Sequence, residues 1–371
     1  MIAYSLLRQA IFSAVNLGLM RRNNLIYVFL YFLGLSCSCE PKGAIGVGVE
    51  ESFVMEGKDA TLPVWVEGNT ASKVFILLIH GGPGGNSTVY NQLQAFSEPL
   101  EDTYAMVYFD QRCTGLSTGD CEEDSLTVEA LVKDLKGVKL VLEARYGRDN
   151  SFFLMGHGWG GYLSAAFLLD RKNQRDFEGW INIGGIHDFP LMFATSQQVL
   201  VEQAQAQIAS GNAIPDWQEI LEEVEGADID LWEDALRINQ SSAQAMDLLI
   251  ALDSVTICEA DADIRETLNA PAGVLAMADS KMNSVNLRLL KALYQHSIAE
   301  EMENIELPSL FIWGRFDYTV PLAVGYESFS RIGAEERDML ILPHSGHASM
   351  CNETAAFMTG VTNFIETYKQ E

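Results

Sequence analysis

The chain has 371 residues, enough to bury one large core with an inserted subdomain or to hold two domains. It carries 24 Lys and Arg residues against 51 Asp and Glu residues, which gives a net charge of −27. That balance argues against nucleic-acid binding, because a phosphate backbone attracts a basic surface. The acidity is typical of a soluble, self-repelling surface, and an acidic site mouth that attracts cationic substrates is the alternative.

The first 39 residues predict a targeting segment. They contain no Asp or Glu, and three arginines precede an apolar run over residues 25–35. A basic region followed by 11 apolar residues is short for a membrane span and typical of a signal peptide. The Ser-Cys-Ser-Cys stretch that follows resembles a bacterial lipobox, and we favour Cys37 as the lipidated residue. We therefore predict an exported protein of the bacterial periplasm or cell envelope that contacts the membrane only through a lipid anchor or signal segment.

Alternatives stay open for this segment. Plain secretion with cleavage near Cys37 is one, and a single uncleaved anchor helix is another. Met20 would itself be a normal start, and residues 1–19 would then lie outside the protein.

Cysteine usage fits an exported protein. With Cys37 and Cys39 set aside, four cysteines remain and permit three pairings: Cys113, Cys121, Cys258 and Cys351. Cys113 and Cys121 lie eight residues apart in a stretch rich in Gly, Ser and Thr, so a local loop disulfide is one interpretation. Four buried or free thiols is the other.

Beyond residue 40, strand and helix patterns alternate and predict an α/β fold. Residues 47–67 alternate around turn residues, which indicates an antiparallel hairpin at a sheet edge. A continuous apolar run, typical of a strand covered on both faces, lies at 73–79. Further strands are predicted at 104–109, 151–154, 177–183, 309–314 and 339–343. Helical spacing of apolar residues marks 127–146, 162–169 and 352–368.

Residues 188–300 differ from the rest of the chain. Strand signals vanish there, and amphipathic helical stretches such as 196–210 and 216–225 replace them. We predict a mostly parallel central sheet flanked by helices, built from residues 40–187 and 301–371, with an inserted helical cap subdomain at 188–300.

Several stretches that bear chemical groups follow strands, where open α/β sheets place their ligand sites. The glycine-rich stretch 80–85 can bring backbone N–H groups close to a ligand. Asp317 follows one strand, and His344 and His347 follow the last one. Taken singly, these features are equally typical of a tight turn, a helix cap and exposed loop histidines.

The stretch GHGWGG at 156–161 lies between an apolar strand and a helix. Strand, sharp glycine turn and helix is the context of the nucleophile elbow, G-x-S-x-G. Both flanking glycines are present, but Gly158 stands at the serine position. Elbow, acid and histidine then follow in the chain order of an α/β-hydrolase triad.

Five stretches together resemble the proline iminopeptidase (prolyl aminopeptidase) branch of the α/β-hydrolases. They are HGGPGG at 80–85, DQRCTGLS at 110–117, GHGWGG at 156–161, WGRFDYTVP at 313–321 and SGH at 345–347. The resemblance covers about residues 45–371. It implies an α/β-hydrolase fold and hydrolysis of the N-terminal residue of short peptides, or of related amides or esters. It implies no cofactor, and no histidine or cysteine pair has the spacing of metal ligands.

The resemblance also implies roles for individual residues. Gly82 and Trp159 would supply oxyanion-hole N–H groups, and Asp317 would orient the base His347, with His344 as the alternative base. The remaining residues of the substrate-binding loop would be His80, Gly81 and Pro83. Acidic residues of the cap would hold the substrate amine, and no motif selects among Glu222, Glu223, Glu225, Asp228 and Glu233. Cys113 stands where the family has glycine.

Gly158 is the departure that bears on activity, because glycine has no atom that can attack a carbonyl. Three hypotheses stay open. The chain is a pseudoenzyme that binds a peptide or small ligand in the same pocket, an altered copy of an active enzyme, or a hydrolase in which His347 activates water directly. His157, directly before the elbow's apex, is expected to point away from the site.

Overall fold

A computed structural model describes residues 49–122, 125–258, 260 and 280–370. The predicted targeting segment at 1–39, including Cys37, lies outside the described residues, so the hypotheses about export and lipidation stay predictions. Within the described ranges, no helix has both the length and the apolarity that crossing a membrane requires.

The strands form one mixed sheet in the order β1-β2-β4-β3-β6-β7-β8-β9, with β5 against β2. They are β1 (Val49–Glu56), β2 (Ala60–Gly68), β3 (Val74–Ile79), β4 (Ala105–Phe109), β5 (Thr118–Gly119), β6 (Ser151–His157), β7 (Gly179–Ile183), β8 (Ser309–Gly314) and β9 (Arg337–Leu342). Strand β2 runs antiparallel to β1, β4 and β5, and all neighbours from β4 to β9 are parallel. The predicted edge hairpin and mostly parallel sheet are confirmed.

Helices cover the sheet and fill the insertion. They are α1 (Thr88–Gln92), α2 (Gln94–Thr103), α3 (Val128–Tyr146), α4 (Trp159–Leu168), α5 (Arg171–Gln174), α6 (Phe189–Ser210), α7 (Ile214–Val224), α8 (Trp232–Ala251), α9 (Ser280–Leu293), α10 (Leu322–Arg331), α11 (Ser349–Asn352) and α12 (Thr354–Tyr368). The sequence patterns did not predict six of the strands and helices: β5, α1, α2, α5, α10 and α11. Four of them, β5, α1, α5 and α11, are very short, and α2 contains Pro99.

Apolar side chains pack on both faces of the sheet, as continuous apolar strands require. All six residues of β3 are buried. One hydrophobic cluster joins the sheet to α3, α4 and α6, and a second joins it to α1, α2 and α12. The sheet is therefore sandwiched between two helical layers, and the carboxyl ends of its parallel strands share one edge.

The described part of the insertion consists of helices α6 to α9. Leu200, Trp217 and Ile238 come from three of these helices and share a hydrophobic cluster that also contains Tyr318, in the segment after β8. Ser242 of α8 also donates a hydrogen bond of 2.8 Å to the carbonyl of Tyr318. The insertion is therefore packed against the segment that carries Asp317. The exact limits 188–300 remain a prediction.

Two disulfides link the four remaining cysteines. Cys113 bonds to Cys121, which is the local pairing that the sequence allowed. Cys258 bonds to Cys351, 93 residues away. The second disulfide joins the part of the insertion that follows α8 to α11, directly after the segment that carries His347. Thr256 strengthens this junction, because its N–H donates to the carbonyl of His344 at 2.8 Å.

Candidate active site

The turn between β6 and α4 has the geometry of a nucleophile elbow. Gly158 is at its apex, with φ 54° and ψ −113°, a conformation that residues with side chains rarely adopt. A β-carbon on Gly156 would lie 2.4 Å from the carbonyl oxygen of Gly160, and one on Gly160 would lie 2.0 Å from that of Ile79. Strand and helix therefore approach too closely for any larger flanking residue. Helix α4 begins at Trp159, earlier than the predicted residue 162, because the turn leads directly into the helix.

Asp317 and His347 meet at the carboxyl ends of β8 and β9. Oδ2 of Asp317 lies 2.7 Å from Nδ1 of His347. The other carboxylate oxygen accepts hydrogen bonds from the N–H groups of Thr319 and Val320, at 3.0 and 2.8 Å. Because Asp317 is only 1% exposed and fully bonded, it holds the imidazole in one orientation. Nδ1–H donates to the carboxylate, so the lone pair of His347 lies on Nε2.

Nε2 of His347 faces the apex of the elbow. A β-carbon on Gly158 would lie 2.8 Å from this nitrogen, inside ordinary van der Waals contact. The imidazole thus extends into the space that a side chain at position 158 would take. A β-carbon on Gly184 would lie 3.2 Å from Nδ1. The ring therefore lies close to two glycines, and a side chain at either position would crowd it.

Gly82 and Trp159 are the residues whose N–H groups the resemblance implies for an oxyanion hole. Within the described residues, neither the N–H of Gly82 nor that of Trp159 donates to a protein acceptor. Trp159 is the first residue of α4, where helix N–H groups lack intrahelical partners. Gly82 adopts φ 134° and precedes Pro83 through a cis peptide bond. The absence of a protein acceptor agrees with an oxyanion hole at Gly82 and Trp159, and that role stays a prediction.

Buried hydrogen bonds tie the glycine-rich loop to the elbow. Nδ1 of His80 donates to the carbonyl of Gly81 at 2.8 Å, and Nε2 accepts the N–H of Gln111 at 3.0 Å. Burial lowers the pKa of His80, in keeping with a neutral ring. The side chain of Gln111 accepts the indole N–H of Trp159 at 2.8 Å. His80 and Gln111 therefore fix the loop and the elbow relative to each other.

A second chain of hydrogen bonds runs through Tyr90 next to the site, and no sequence pattern predicts it. The N–H of Gly81 donates to the hydroxyl of Tyr90 at 2.9 Å, and this hydroxyl lies 2.7 Å from Nδ1 of His157. Nε2 of His157 lies 3.0 Å from the carbonyl oxygen of His347. A carbonyl can only accept, so Nε2 of His157 carries the proton and Nδ1 accepts from Tyr90. The His157 and His347 rings also pack with centroids 4.5 Å apart.

Protonation of His157 should cost stability. Burial, and then the nearby His347, lower the pKa of His157 well below its ordinary value of 6.5. The unfolded chain therefore binds a proton below pH 6.5 that the folded chain does not, and stability falls as pH falls. Relative to His157→Gln, which cannot titrate, wild-type unfolding free energy should decrease by about 1.4 kcal/mol per pH unit in this window. Denaturant titrations of both proteins from pH 7.5 to 5 measure the difference, and parallel pH profiles would contradict it.

The alternative base and the candidate amine anchors lie away from the elbow and the Asp317–His347 pair. The side chain of His344 is exposed, and its backbone N–H donates to Glu353 at 2.7 Å. The five cap carboxylates are exposed, and within the described residues none of them bonds to the elbow or to His347: Glu222, Glu223, Glu225, Asp228 and Glu233. The amine anchor therefore remains unassigned. Among the described residues, no group of three His, Cys, Asp or Glu side chains is arranged to hold a metal ion.

Proteins with a similar sequence include proline iminopeptidases and a probable aminopeptidase. The chain is 23% identical to a proline iminopeptidase of Flavobacterium johnsoniae, over 83% of this chain and 95% of that protein. It is also 23% identical to the probable aminopeptidase YbaC of Bacillus subtilis, over 79% of this chain and 89% of that protein.

Solved structures show the same fold. A proline iminopeptidase of Mycobacterium smegmatis has a TM-score of 0.56 at 17% identity, covering 86% of this chain and 98% of its own. The proline iminopeptidase-related protein TTHA1809 of Thermus thermophilus has a TM-score of 0.55 at 23% identity, with the same coverage of both chains. The family model described as serine aminopeptidase, S33, matches residues 70–355. That match spans the whole site and most of the chain, so the chain belongs to the serine aminopeptidase S33 family, with a proline iminopeptidase-like α/β-hydrolase fold.

Proposed function

We propose that this chain binds the N-terminal residue of short peptides, or of related amides and esters, and does not cleave peptides by a serine mechanism. One observation carries the proposal: Nε2 of His347 faces a glycine at the apex of the elbow, 2.8 Å from the position of a β-carbon. The Asp317–His347 pair and the free N–H groups of Gly82 and Trp159 support a pocket that still accepts an acyl group. The aminopeptidases among its relatives support a peptide-like ligand.

Peptide cleavage by a serine mechanism needs two things that this site lacks. A serine hydroxyl must attack the carbonyl, and the histidine must then return the hydroxyl's proton to the leaving amine. With glycine at position 158, His347 receives no proton from a serine. An amine expelled without a proton is a very poor leaving group. Peptides should therefore be bound and released intact.

Calorimetric titration tests this directly. Proline- and alanine-terminated tripeptides should bind to the wild-type protein, and chromatography of the same mixtures should show no released amino acid. Gly82→Ala should weaken binding, because the new β-carbon would lie 2.7 Å from the N atoms of Gly84 and Gly85. Gly226→Ala is the matched control, since no atom lies within 4 Å of its β-carbon position. Absence of binding to wild type, or release of the N-terminal residue, would overturn the proposal.

Hydrolysis by water that His347 activates is a second candidate function. The bond between Asp317 and His347 favours it, because this pair is the base of the family mechanism. Sites that lack one triad member keep about 10³–10⁴-fold acceleration over water. Slow arylamide cleavage that is lost in His347→Ala and kept in His344→Ala would select this candidate.

We also propose that the site works outside the cytoplasm, with Cys37 as a lipid anchor. Two disulfides support export, because such bonds persist mainly in oxidising compartments. The basic and apolar pattern of residues 1–39 supports a signal segment. In a bacterial host, metabolic labelling with a fatty acid should mark the wild-type protein and not Cys37→Ala. Equal labelling, or recovery of both from the cytoplasm, would count against this location.

A further inference from the structure

We propose that His347 is itself a nucleophile, and that this chain hydrolyses acyl compounds with good leaving groups, such as aryl esters and thioesters, through an acyl-histidine intermediate. The proposal rests on the proposed function only for the pocket that receives the acyl group. It does not require that peptides bind.

The first support is the position of Nε2 of His347 relative to the elbow. In a serine enzyme the attacking oxygen is carried on the β-carbon of the elbow residue. Here Nε2 of His347 lies 2.8 Å from where the β-carbon of residue 158 would be, so the nitrogen occupies the nucleophile's side of the site. Gly158 offers no atom that competes with it. Among the described atoms, Nε2 is the basic group that faces the apex of the elbow.

The second support is the electronic state of the ring. Because Nδ1–H donates to Asp317 at 2.7 Å, the lone pair on Nε2 lies in the ring plane and points away from the carboxylate. Within the described residues Nε2 has no hydrogen-bond partner that would occupy this lone pair. His347 is only 7% exposed, so little water competes for it. Histidine is among the side chains that form covalent intermediates in catalysis.

The third support is rigidity. The ring lies close to Gly158 and Gly184, and the His157 ring packs on it with centroids 4.5 Å apart. The carbonyl of His347 accepts a hydrogen bond from His157 at 3.0 Å. Both the ring and its backbone are thus held in place. A nucleophile held at the reacting position avoids much of the entropy cost of a bimolecular attack.

The reaction balances without any added reagent except water. The Nε2 lone pair forms a bond to the acyl carbon, and the carbonyl electrons move to the oxygen, which the N–H groups of Gly82 and Trp159 would stabilise. The bond to the leaving group breaks, and a phenolate or thiolate departs with the electron pair. Water then adds to the acyl-imidazolium, loses a proton to solvent and releases the carboxylic acid with neutral His347. An amide fails at the second step, because its leaving group would depart as an amine anion.

Two substitutions test whether Nε2 of His347 attacks the ester, and a third serves as the control. With p-nitrophenyl acetate as the probe, wild type should hydrolyse the ester, and His347→Ala should lower the rate by about 10²-fold or more. His344→Ala removes an exposed histidine three residues away and should leave the rate unchanged. Gly158→Ala should lower the rate by about tenfold or more, because its methyl group displaces Nε2 from the attacking position.

Trapping identifies the intermediate. Acid quenching in the first turnovers, followed by digestion and mass spectrometry, should find one acetyl group on the peptide that contains His347. Hydrolysis with no acetylated histidine and a solvent isotope effect typical of proton transfer would overturn the proposal in favour of activated water. Failure of wild type to hydrolyse the ester would also overturn it. Calorimetric titration with tripeptides measures peptide binding independently of ester hydrolysis. A failure of the acyl-histidine proposal is therefore distinguishable from a failure of the proposed function.

Discussion

Replacing Gly158 with serine is expected to produce an aminopeptidase that cleaves proline and alanine arylamides about 10³-fold or more faster than wild type. The reason is that the substitution restores the one missing group, while Asp317 and His347 already lie within 2.7 Å of each other. The variant should also react with a fluorophosphonate probe, and the wild-type protein should not. Arylamine release and probe labelling measure the two effects independently.

The same substitution should lower stability. Residue 158 has φ 54°, where a side chain is strained, and the new β-carbon would lie 2.8 Å from Nε2 of His347. We expect a loss of about 1–3 kcal/mol in unfolding free energy, with His347 moving back from the elbow. Gly158→Ala is the matched control, because it adds the same β-carbon without the hydroxyl. It should lose the same stability and gain no arylamidase activity.

Two outcomes would contradict this prediction. If Gly158→Ser and Gly158→Ala are equally inactive while both stay folded, the roles assigned to Asp317 and His347 lose their support. If the wild-type protein already reacts with the fluorophosphonate, a serine outside the elbow is the nucleophile. The hypothesis that Gly158 leaves the chain without a serine nucleophile would then be wrong.

Removal of the Cys258–Cys351 disulfide should give the largest loss of stability. The bond closes a loop of 93 residues, and the chain-entropy relation gives about 4–5 kcal/mol for a loop of this length. The measurement is the unfolding free energy of the Cys258→Ser, Cys351→Ser double variant in denaturant. Because Cys351 follows the segment of His347 closely, ester hydrolysis by the folded variant should also decrease.

The Cys113–Cys121 disulfide supplies the matched control. Its sequence separation is eight residues, so its removal should cost about 2–3 kcal/mol by the same relation. It lies outside the junction between the insertion and α11, so it should affect ester hydrolysis less. Equal losses for the two double variants would show that loop length does not set these contributions.

The layout of the sheet could be predicted because each strand has a residue pattern within its own short segment. Stretches such as 73–79 are continuously apolar, and the hairpin at 47–67 alternates around a turn. The chain order of Gly158, Asp317 and His347 then located the site at the shared edge of the parallel strands. These features depend on short segments or on the order of segments, both of which a single sequence displays.

The remaining features depend on contacts between distant segments, and no local pattern records them. Tyr90 and His157 lie 67 residues apart, and nothing around Tyr90 marks it as a hydrogen-bond partner. Four cysteines permit three pairings, and no sequence pattern selects the bond between Cys258 and Cys351 from among them. The position of His347 beside Gly158 and Gly184 likewise depends on how distant segments pack.

The chain from Gly81 through Tyr90 and His157 to the carbonyl of His347 has a direction, because every donor points the same way along it. Only the Tyr90 hydroxyl can rotate. A proton added to Nδ1 of His157 would reverse the bond between His157 and Tyr90, because Nδ1 would then donate and the hydroxyl would accept. The Tyr90 oxygen has two lone pairs and can accept from Gly81 and His157 together, but its own hydrogen would lose its acceptor. The bond from His157 to the carbonyl of His347 would remain. Protonation of His157 would therefore leave the buried hydroxyl of Tyr90 without an acceptor, while the contact with His347 stays intact.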